Sequence, residues 1–351
     1  MTKIYLIRHA ESEGNTYRRA HGHYNGQITA TGHMQIEQLR QRFANETIDV
    51  IYSSDLDRAV TTAKSLSEPR NLPVNKCKNL REVDLGAWED QAWGDLEHNE
   101  PEMIIYFNSD PSLWKTDGSE SLESVISRMS KIIYEIGENH EGQTVAVFSH
   151  GFAIRSLMCE LTGVCPSDTH KVPYFDNTAV ALLTFNNGDI SVEYQGDNSH
   201  LNDEISTFAR QTWWREGHEQ VKENLRYEQI KSNSDDFILN PTMQEIIQKI
   251  NFDIGYIAFL DNEPVGFLAL DNSDDNIGKI MYYYVKPEYR QRNFHEQLIG
   301  HALAVFRMRR KIAVQIDLTS DNKKVIDFLR KHGFEVKSYI DNRNLLEYKI
   351  K

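Results

Sequence analysis

The sequence lacks several features that would assign it to a class at once. It has only three cysteines, Cys77, Cys159 and Cys165. Their spacing fits no metal site, so we expect reduced thiols. No run of about eighteen apolar residues occurs, so no membrane-spanning helix is expected. The first residues are typical of a strand rather than of a charged and then apolar leader, so no secretory signal is expected. These absences predict a cytoplasmic protein without a membrane partner.

A basic excess is also missing. The formal net charge of the 351 residues is −13 at pH 7, which argues against a nucleic-acid partner. Residues 1–200 hold 17 Lys and Arg against 29 Asp and Glu, a net of −12, whereas residues 201–351 hold 22 against 23, a net of −1. No internal repeat or low-complexity tract joins the halves. The sequence therefore predicts two unrelated modules.

A short apolar run at residues 4–7 ends abruptly at Arg8 and His9. Four apolar or aromatic residues in a row are typical of a strand buried on both faces, as in a parallel sheet. Ligands of open α/β sheets bind at the carboxyl ends of the strands, where these two side chains would stand. The alternative is a surface Arg-His pair without a function.

The same pattern recurs far along the chain. Residues 144–149 form a second small and apolar strand that stops at His150, followed by Gly151 and a helical segment. Two strands of one sheet can bring His9 and His150 together at one edge. Further polar residues follow successive elements in the same way: Asn15, Arg58 after the strand at 50–53, and Glu82 in the segment 80–89.

These segments, in their order and spacing, resemble the histidine phosphatase superfamily, also called phosphoglycerate mutase-like. The match rests on four pieces: Arg8-His9 with Asn15, the segment 53–59 with Arg58, the Glu82 segment ending in Trp88-Glu89, and Ser149-His150-Gly151. One departure is Ala10, where Gly is commonest. The resemblance implies an α/β fold with a mainly parallel sheet covered by helices on both faces. It also implies a metal-independent phosphomonoesterase that needs no cofactor.

The chemistry of a phosphate monoester suggests a role for each residue. Arg8 and Arg58 present planar forks that match phosphate oxygens. His9 offers an imidazole nitrogen as nucleophile, which yields a phosphohistidine. His150 is expected to stabilise the oxygens, either as a charged group or as a hydrogen-bond donor. Glu82 would protonate the leaving oxygen and then accept a proton from water. The alternative for Glu82 is an ordinary solvated carboxylate.

Four further residues are assigned to substrate binding: Asn15, His21, Gly22 and Gly151. The family resemblance places Asn15 on the phosphate, although a plain turn former is the alternative. Relatives usually carry a small polar residue or Gln beside the glycine at position 22, where this chain has His21. This histidine is expected either to tune specificity or to face solvent from a loop.

Two rivals to a phosphatase remain open at this point. A phosphoglycerate mutase needs extra cations after the acid, but residues 83–143 hold only Lys115, Arg128 and Lys131 against 14 Asp and Glu. This balance favours hydrolysis of a small, less charged phosphorylated metabolite. A non-catalytic phospho-ligand sensor is the second rival, but binding alone would require only the arginines.

The second half resembles the GNAT acetyltransferase superfamily over roughly residues 223–351. The similarity rests on a strong strand at 280–285, a loop at 286–295, a helix to about Arg309, a strand at 312–318 and a helix at 322–332. We predict a helix at 243–250 as well. The predicted domains are therefore 1–200, a helical connector at 201–222 that carries Trp213 and Trp214, and 223–351.

Acetyl-coenzyme A is the cofactor that this second resemblance implies. The family binds it after a strand, here ending at Val285, with a loop of the form Gln/Arg-x-x-Gly-x-Gly/Ala. Arg290 keeps the first position, but Asn293 and His295 replace both glycines, and side chains hinder a close approach of phosphate. The usual tyrosine acid is replaced by Leu329. The open alternatives are an acetyltransferase, and a fold kept for binding, for rigidity or for a homodimer.

Overall fold

The computed structural model describes residues 1–211, 223–230, 244–245 and 249–350. Contacts divide the chain into two compact units, which are described separately. The first unit comprises Met1–Ser12, Ala20–Glu89 and Glu100–Gln220. The second comprises Glu13–Arg19, Asp90–Asn99 and Val221–Lys351. The predicted connector helix with Trp213 and Trp214, and most of the helix predicted at 243–250, lie outside the described residues, so the domain boundaries stay predictions.

The first unit is built on a six-stranded sheet with the strand order β3-β2-β4-β1-β5-β6. Its strands are β1 Thr2–Arg8, β2 Val50–Ser53, β3 Val74–Lys76, β4 Thr144–Ser149, β5 Val180–Asn186 and β6 Asp189–Asp197. Strands β1, β4, β2 and β3 run parallel, and β5 pairs antiparallel with both of its neighbours, β1 and β6. The prediction that the two apolar strands share one sheet is confirmed, and they are direct neighbours in it, with Arg8 opposite Ser149.

Helices of both units are interspersed with the strands along the chain. They are α1 Glu13–Thr16, α2 Ala30–Arg42, α3 Asp57–Arg70, α4 Trp93–Asn99, α5 Pro101–Ser109, α6 Leu122–Asn139, α7 Gly151–Thr162, α8 Thr207–Arg210, α9 Phe294–Met308 and α10 Lys323–Lys331. Helices α1, α4, α9 and α10 belong to the second unit and the others to the first. The alternation of strands with helices along the first unit agrees with the predicted α/β class.

Local sequence explains where several of these helices begin and end. Ser121 caps α6 by accepting a hydrogen bond from the backbone of Ser124, as short polar residues do at helix starts. Helix α7 ends at Gly163, which has a φ of 68° in the left-handed region that glycine adopts easily. Asp55 lies just before α3, and its residue type predicts a helix cap. This prediction is wrong, because the N-cap is Leu56, which makes no side-chain capping hydrogen bond. The Asp55 carboxylate instead accepts two hydrogen bonds from Arg81 at 2.6 Å.

The buried strands fix the edge at which the polar residues lie. Residues 4–7 of β1 and 145–149 of β4 are buried, because helices cover both faces of this part of the sheet. The chain leaves the sheet immediately after these strands, at His9 and at His150. The carboxyl ends of β1 and β4 therefore define one rim.

The second unit is built on a seven-stranded sheet with the order β12-β13-β11-β10-β9-β8-β7. Its strands are β7 Arg226–Gln229, β8 Ile254–Leu260, β9 Glu263–Asp271, β10 Ile277–Val285, β11 Ala313–Thr319, β12 Glu335–Ile340 and β13 Arg343–Lys349. Strand β10 pairs with β11 only over Ile277–Ile280, and beyond an irregularity it pairs with β9 alone. The sequence did not predict the final hairpin of β12 and β13.

No helix within the described ranges is long and apolar enough to cross a membrane.

Candidate active site

The rim of the first sheet brings together the histidines that the sequence singled out. His9 follows β1 and His150 occupies the position just before α7. Their ring centroids are 5.1 Å apart, with the planes inclined by 56°. His9 is 3% exposed and His150 is fully buried. Two imidazoles from residues far apart in sequence therefore share one small polar region.

The protonation of His9 follows from its neighbours. Its Nδ1 lies 2.7 Å from the carbonyl oxygen of Ala10, and a carbonyl can only accept, so Nδ1 carries the proton. Burial, followed by the positive charges of Arg58 and Arg8, lowers the pKa of His9 well below its usual value. At neutral pH the ring is therefore uncharged, with a lone pair on Nε2. This is the form that a nucleophile requires.

His150 carries the opposite tautomer. Arg58 donates from Nε to its Nδ1 at 3.1 Å, so the proton of the neutral ring is on Nε2. Burial and then the charge of Arg58 lower the pKa of His150 well below its usual value. Among the described residues this buried Nε2 has no hydrogen-bond partner. A buried donor without an acceptor is costly, and it marks a position where a ligand oxygen would fit.

Arg58 directs its guanidinium at protein atoms. Besides His150, it donates to His21 Nε2 at 3.0 Å and to the carbonyl oxygens of Tyr24 at 3.1 Å and Gly22 at 2.6 Å. Burial lowers its pKa to about 10, so the side chain stays charged at neutral pH. In this arrangement Arg58 orients both neighbouring histidines and supplies positive charge.

Arg8 differs from Arg58 because one of its buried N–H groups has no acceptor within the described part of the chain. Its Nη1 donates to the carbonyl oxygen of Phe175 at 2.5 Å, whereas its buried Nε has no partner among the described residues. A Cβ built on Gly151 would lie 3.2 Å from this Nε. The glycine therefore leaves room for the guanidinium at the start of α7. Arg8 and His150 together offer two buried N–H groups at the rim.

Glu82 reaches the same helix from a different segment. Its carboxylate accepts hydrogen bonds from the backbone of Ala153 at 2.8 Å and of Phe152 at 3.1 Å, and from Val83 at 3.1 Å. The first two donors are N–H groups of the first turn of α7, which have no acceptor within the helix and favour a negative charge. Glu82 is 8% exposed, so it is not the ordinary solvated carboxylate that the sequence left open as an alternative.

Sequence reasoning missed the residue that holds the Glu82 segment in place. Arg128 on α6 donates to the carbonyl oxygens of Asn79, Arg81 and Glu82 at 2.9, 2.6 and 3.0 Å. It also pairs with Glu120 at 2.7 Å. An arginine at a helical position looks like any surface arginine in the sequence, so no local signal could have found it.

His21 and Gly22 lie beside the same site. His21 Nδ1 is 3.2 Å from the hydroxyl of Ser12, and its ring centroid is 6.5 Å from that of His9. It is half-buried rather than a freely solvated loop residue. A Cβ on Gly22 would lie 2.6 Å from the carbonyl oxygen of Val83, so this position must be glycine for the two loops to approach. Its role as a substrate contact stays a prediction.

A further carboxylate joins these two loops, and the sequence did not assign it. Glu89 accepts hydrogen bonds from the backbone of His23 at 2.6 Å and of Leu85 at 3.2 Å. It stands at the end of the motif that carries Glu82. The loop with His21 is therefore fixed to the segment that carries the acid.

Asn15 belongs to a different unit from the other residues that were predicted for the phosphatase site. It lies in the short helix α1, which belongs to the second unit, whereas the remaining site residues of the phosphatase belong to the first. Its role on the phosphate stays a prediction.

Asp176 is a residue of the site that the sequence did not indicate. It is buried, and its negative charge acts on Arg8 and opposes the lowering of the pKa of Arg8 by burial.

The assembled groups suit a tetrahedral dianion. Two arginines supply positive charge, His150 and Arg8 supply unpartnered N–H groups, and a neutral nucleophile stands beside them. A proton donor and acceptor, Glu82, belongs to the same unit. Within the described residues no cluster of three or more His, Cys, Asp or Glu could hold a metal ion. The arrangement is chemically suited to phosphoryl transfer to an imidazole.

The candidate residues of the second unit lie at the end of β10 and in the loop that leads to α9. Arg290 donates from Nε to the carbonyl oxygen of Val285, the last residue of β10, at 3.2 Å. The His295 ring lies against Tyr283 of β10 and Phe328 of α10, with centroid distances of 5.8 and 6.2 Å. Aromatic side chains therefore connect the end of β10 to α10.

Known proteins resemble the chain in two parts. Residues 4–198 match the family model of the histidine phosphatase superfamily (branch 1), and residues 221–334 match that of the acetyltransferase (GNAT) family. Phosphoserine phosphatase 1 of Hydrogenobacter thermophilus is 32% identical over 195 residues, which cover 53% of this chain and 92% of that protein. Phosphoglycerate mutase-like protein 4 of Arabidopsis thaliana is 31% identical over 207 residues, which cover 57% and 86%.

Solved structures resemble the first part. YhfR of Bacillus stearothermophilus superposes with a TM-score of 0.56 at 28% identity, covering 57% of this chain and all of that one. A phosphoserine phosphatase mutant from Entamoeba histolytica, in complex with phosphoserine, gives a TM-score of 0.51 at 26% identity with the same coverage. Because the superfamily model spans more than half of the sequence, the chain belongs to the histidine phosphatase superfamily, branch 1, and carries a GNAT acetyltransferase domain.

Proposed function

We propose that the first unit hydrolyses phosphate monoesters of small metabolites through a phosphohistidine on His9. The observation that carries this proposal is the pair of opposite tautomers at the rim. His9 presents a lone pair, and His150, 5.1 Å away between ring centroids, presents a buried N–H without an acceptor among the described residues. A phosphoryl group fits this pair, because its phosphorus can accept the lone pair of His9 while one of its oxygens accepts a hydrogen bond from the N–H of His150.

The reaction takes two displacements. In the first, the Nε2 lone pair of His9 forms a bond to phosphorus while the bond to the leaving oxygen breaks, and Glu82 gives that oxygen its proton. In the second, water attacks phosphorus, the N–P bond breaks, and Glu82 takes the proton from water. His150 and Arg8 stabilise the equatorial oxygens, with charge from Arg58.

Phosphoserine is the substrate we propose to test first. The Hydrogenobacter relative is named as a phosphoserine phosphatase, and the Entamoeba structure holds phosphoserine. Hydrolysis is favoured over a mutase reaction because few cations are available after the acid. Of the three in residues 83–143, Arg128 is bonded to Glu120 and to backbone carbonyls. Lys131 lies 4.0 Å from the carboxylate of Glu135, and Lys115 is the remaining one.

The test is release of inorganic phosphate from phosphoserine and from p-nitrophenyl phosphate, with EDTA present throughout. We expect steady turnover that chelator does not reduce, as a metal-independent mechanism requires. Denaturation at alkaline pH during turnover, followed by mass spectrometry, should find the phosphoryl group on the peptide with His9. Phosphate binding without turnover would instead identify a sensor, and transfer to glycerate would identify a mutase.

We also propose that the second unit does not bind acetyl-coenzyme A at the start of α9. The residues there do not fit the pyrophosphate. Asn293 and His295 add side chains where backbone would have to approach closely, and the His295 ring packs between Tyr283 and Phe328. Glu296 puts a carboxylate in the first turn of α9, where it repels a second anion.

Isothermal titration calorimetry of the full chain with acetyl-coenzyme A tests this second proposal. We expect no heat of binding above dilution. Replacing Asn293 and His295 together by glycine should restore part of the loop and give weak binding. Saturable binding to the natural chain would overturn the proposal and return acyl transfer as an activity.

A cytoplasmic location is proposed on the state of the thiols. Cys77, Cys159 and Cys165 are unpaired, as expected in a reducing compartment. Fractionation of cells that produce the chain, with detection by antibody, tests the location.

A further inference from the structure

The second unit contains two segments that lie within the phosphatase sequence. Residues 13–19 begin four positions after His9, and residues 90–99 begin eight positions after Glu82. Asn15, which the sequence assigns to the phosphate, lies on the first segment. We propose that the GNAT-like unit is a positioning device that fixes both segments for the phosphatase reaction. The inference rests on the proposed function of the first unit.

Asp90 is the central point of this attachment. Arg19 of the first segment donates from Nε to its carboxylate at 2.7 Å. Arg307 of α9 donates to the same carboxylate from Nε at 2.8 Å and from Nη2 at 3.1 Å. One carboxylate thus joins both segments to α9, the longest helix among the described residues of the second unit. Such bidentate, charge-assisted hydrogen bonds fix orientation as well as distance.

Glu13 provides a second attachment. It is 4% exposed and accepts a hydrogen bond from the hydroxyl of Tyr348 on β13. Its other oxygen lies 4.0 Å from Arg307. A buried carboxylate needs such partners, so the start of α1 is held by groups from the last strand and from α9.

Close backbone packing supports the same conclusion. A Cβ on Gly300 of α9 would lie 2.3 Å from Cβ of Tyr17, so the helix has no side chain where the first segment crosses it. A Cβ on Gly94 would lie 2.4 Å from the carbonyl oxygen of Leu225. Both contacts exclude any larger residue. The two segments are therefore built into the unit rather than resting on its surface.

Backbone conformation at the segments is strained. Arg18 and Asp90 have φ values of 54° and 57°, in the left-handed region that residues other than glycine rarely adopt. Their side chains are both engaged, Arg18 with Asn224 at 2.7 Å and Asp90 with two arginines. Strain of this kind persists only where surrounding contacts determine it, and it concentrates at functional positions.

The functional consequence follows from chain continuity. The segments are joined directly to the stretches that carry His9 and Glu82, and the first also carries Asn15. A shift of about 1 Å in a positioned group can cost as much as 100-fold in rate. Arg307 and Tyr348 are therefore positioning residues for the phosphatase, although neither belongs to its catalytic groups.

The test uses the full chain with Arg307→Met, which removes the bonds to Asp90 while keeping side-chain length. We expect the KM for p-nitrophenyl phosphate, and the Kd for inorganic phosphate measured by calorimetry, to rise about 10-fold. Tyr348→Phe removes only the hydroxyl and should change both constants in the same direction by less. The matched control is Arg343→Met, since Arg343 forms a half-exposed ion pair with Asp317 in the same unit.

A merely structural role gives a different result. Loss of folded protein lowers the apparent kcat but leaves KM and the phosphate Kd unchanged, and circular dichroism measures the folded fraction. The inference is overturned if both constants in the Arg307 and Tyr348 variants equal those of the Arg343 control. If Arg307→Met does not fold, Tyr348→Phe decides.

The two proposals fail in different ways. A natural chain that binds phosphate without hydrolysing esters would end the proposed function, while the phosphate Kd of the variants would still test the positioning role. A natural chain that turns over substrate with unaltered constants in both variants would end only the positioning role. A natural chain that neither binds phosphate nor hydrolyses esters would overturn both.

Discussion

Two strand-to-helix junctions of this chain have the same local topology but opposite surroundings. In the first unit β4 leads through His150 into α7, and in the second β10 leads through a loop into α9. At the first junction Gly151 leaves space, and the buried Nε2 of His150 has no partner among the described residues. At the second, His295 fills the corresponding region with a ring.

The difference teaches what marks an anion site. Both junctions put a helix start at the end of a strand, and this geometry alone favours anions. Only the first combines it with arginines, unpartnered donors and a residue without a side chain. At the second, Arg290 already donates to Val285 and Glu296 adds negative charge. Topology therefore indicates where a site can be, and side chains decide whether it is one.

The largest expected effect on activity comes from replacing the proposed nucleophile of the first junction, His9. His9→Ala removes the lone pair that we propose attacks phosphorus, so kcat for phosphoserine should fall by about 10³-fold or more. Phosphate release measured with enzyme in excess checks this. His33→Ala, an exposed histidine of the same unit, serves as control and should keep full activity. Normal turnover by the His9 variant would show that the nucleophile is another group.

The next effect depends on the leaving group. Glu82→Gln keeps the shape but cannot donate or accept the proton, so kcat for phosphoserine should fall by about 10²-fold or more. The loss should be much smaller for p-nitrophenyl phosphate, whose leaving group needs little protonation. Glu123→Gln on the exposed side of α6 is the control. An equal loss for both substrates would assign Glu82 to structure rather than to proton transfer.

A smaller effect sharpens the comparison of the two junctions. Gly151→Ala puts a Cβ 3.2 Å from Nε of Arg8, tighter than a relaxed contact. The guanidinium must shift, so we expect kcat/KM to fall about 10-fold while the chain stays folded. Steady-state kinetics with thermal unfolding in parallel checks this. Unchanged kinetics would mean that Arg8 does not need the space.

The smallest effect is a dependence of stability on pH. The pKa of His9 and that of His150 are lowered in the folded chain, mainly by burial, so the unfolded chain binds more protons below about pH 6.5. The contribution of these two histidines to the free energy of unfolding is therefore fully present above that pH. It is lost as pH falls, by at most about 1.4 kcal/mol per pH unit for each histidine. Urea unfolding at pH 7, 6 and 5 measures the slope.

Histidine variants distinguish the contributions of the two junctions to this slope of the free energy of unfolding against pH. His9→Ala should flatten the slope more than His295→Ala, because His295 is only partly buried and its pKa is lowered less strongly. His33→Ala should keep the natural slope. Equal slopes in all three variants would contradict the assignment of buried, neutral histidines to the first junction.

Much of the site was predictable from local sequence, and the remainder was not. The apolar strands that end at His9 and His150 can be read directly, since four buried residues followed by a polar one give a clear pattern. Arg128 gives no such signal, because its partners at Asn79 and Arg81 are far away in sequence. The cap proposed for α3 failed for the same reason, since Asp55 is taken by a distant arginine.

By itself the sequence determined which groups are available for reaction and which strands carry them, because side-chain chemistry and apolar patterning are local properties. Only the tertiary structure decided the tautomers of His9 and His150 and the five hydrogen bonds that Arg58 donates to protein atoms. It also decided that residues 13–19 and 90–99 belong to the second unit. The backbone conformation that folding imposes brings His9 Nδ1 to the carbonyl of the next residue, and the other outcomes depend on partners tens to hundreds of positions away. Burial then turns these long-range contacts into shifted pKa values and fixed orientations.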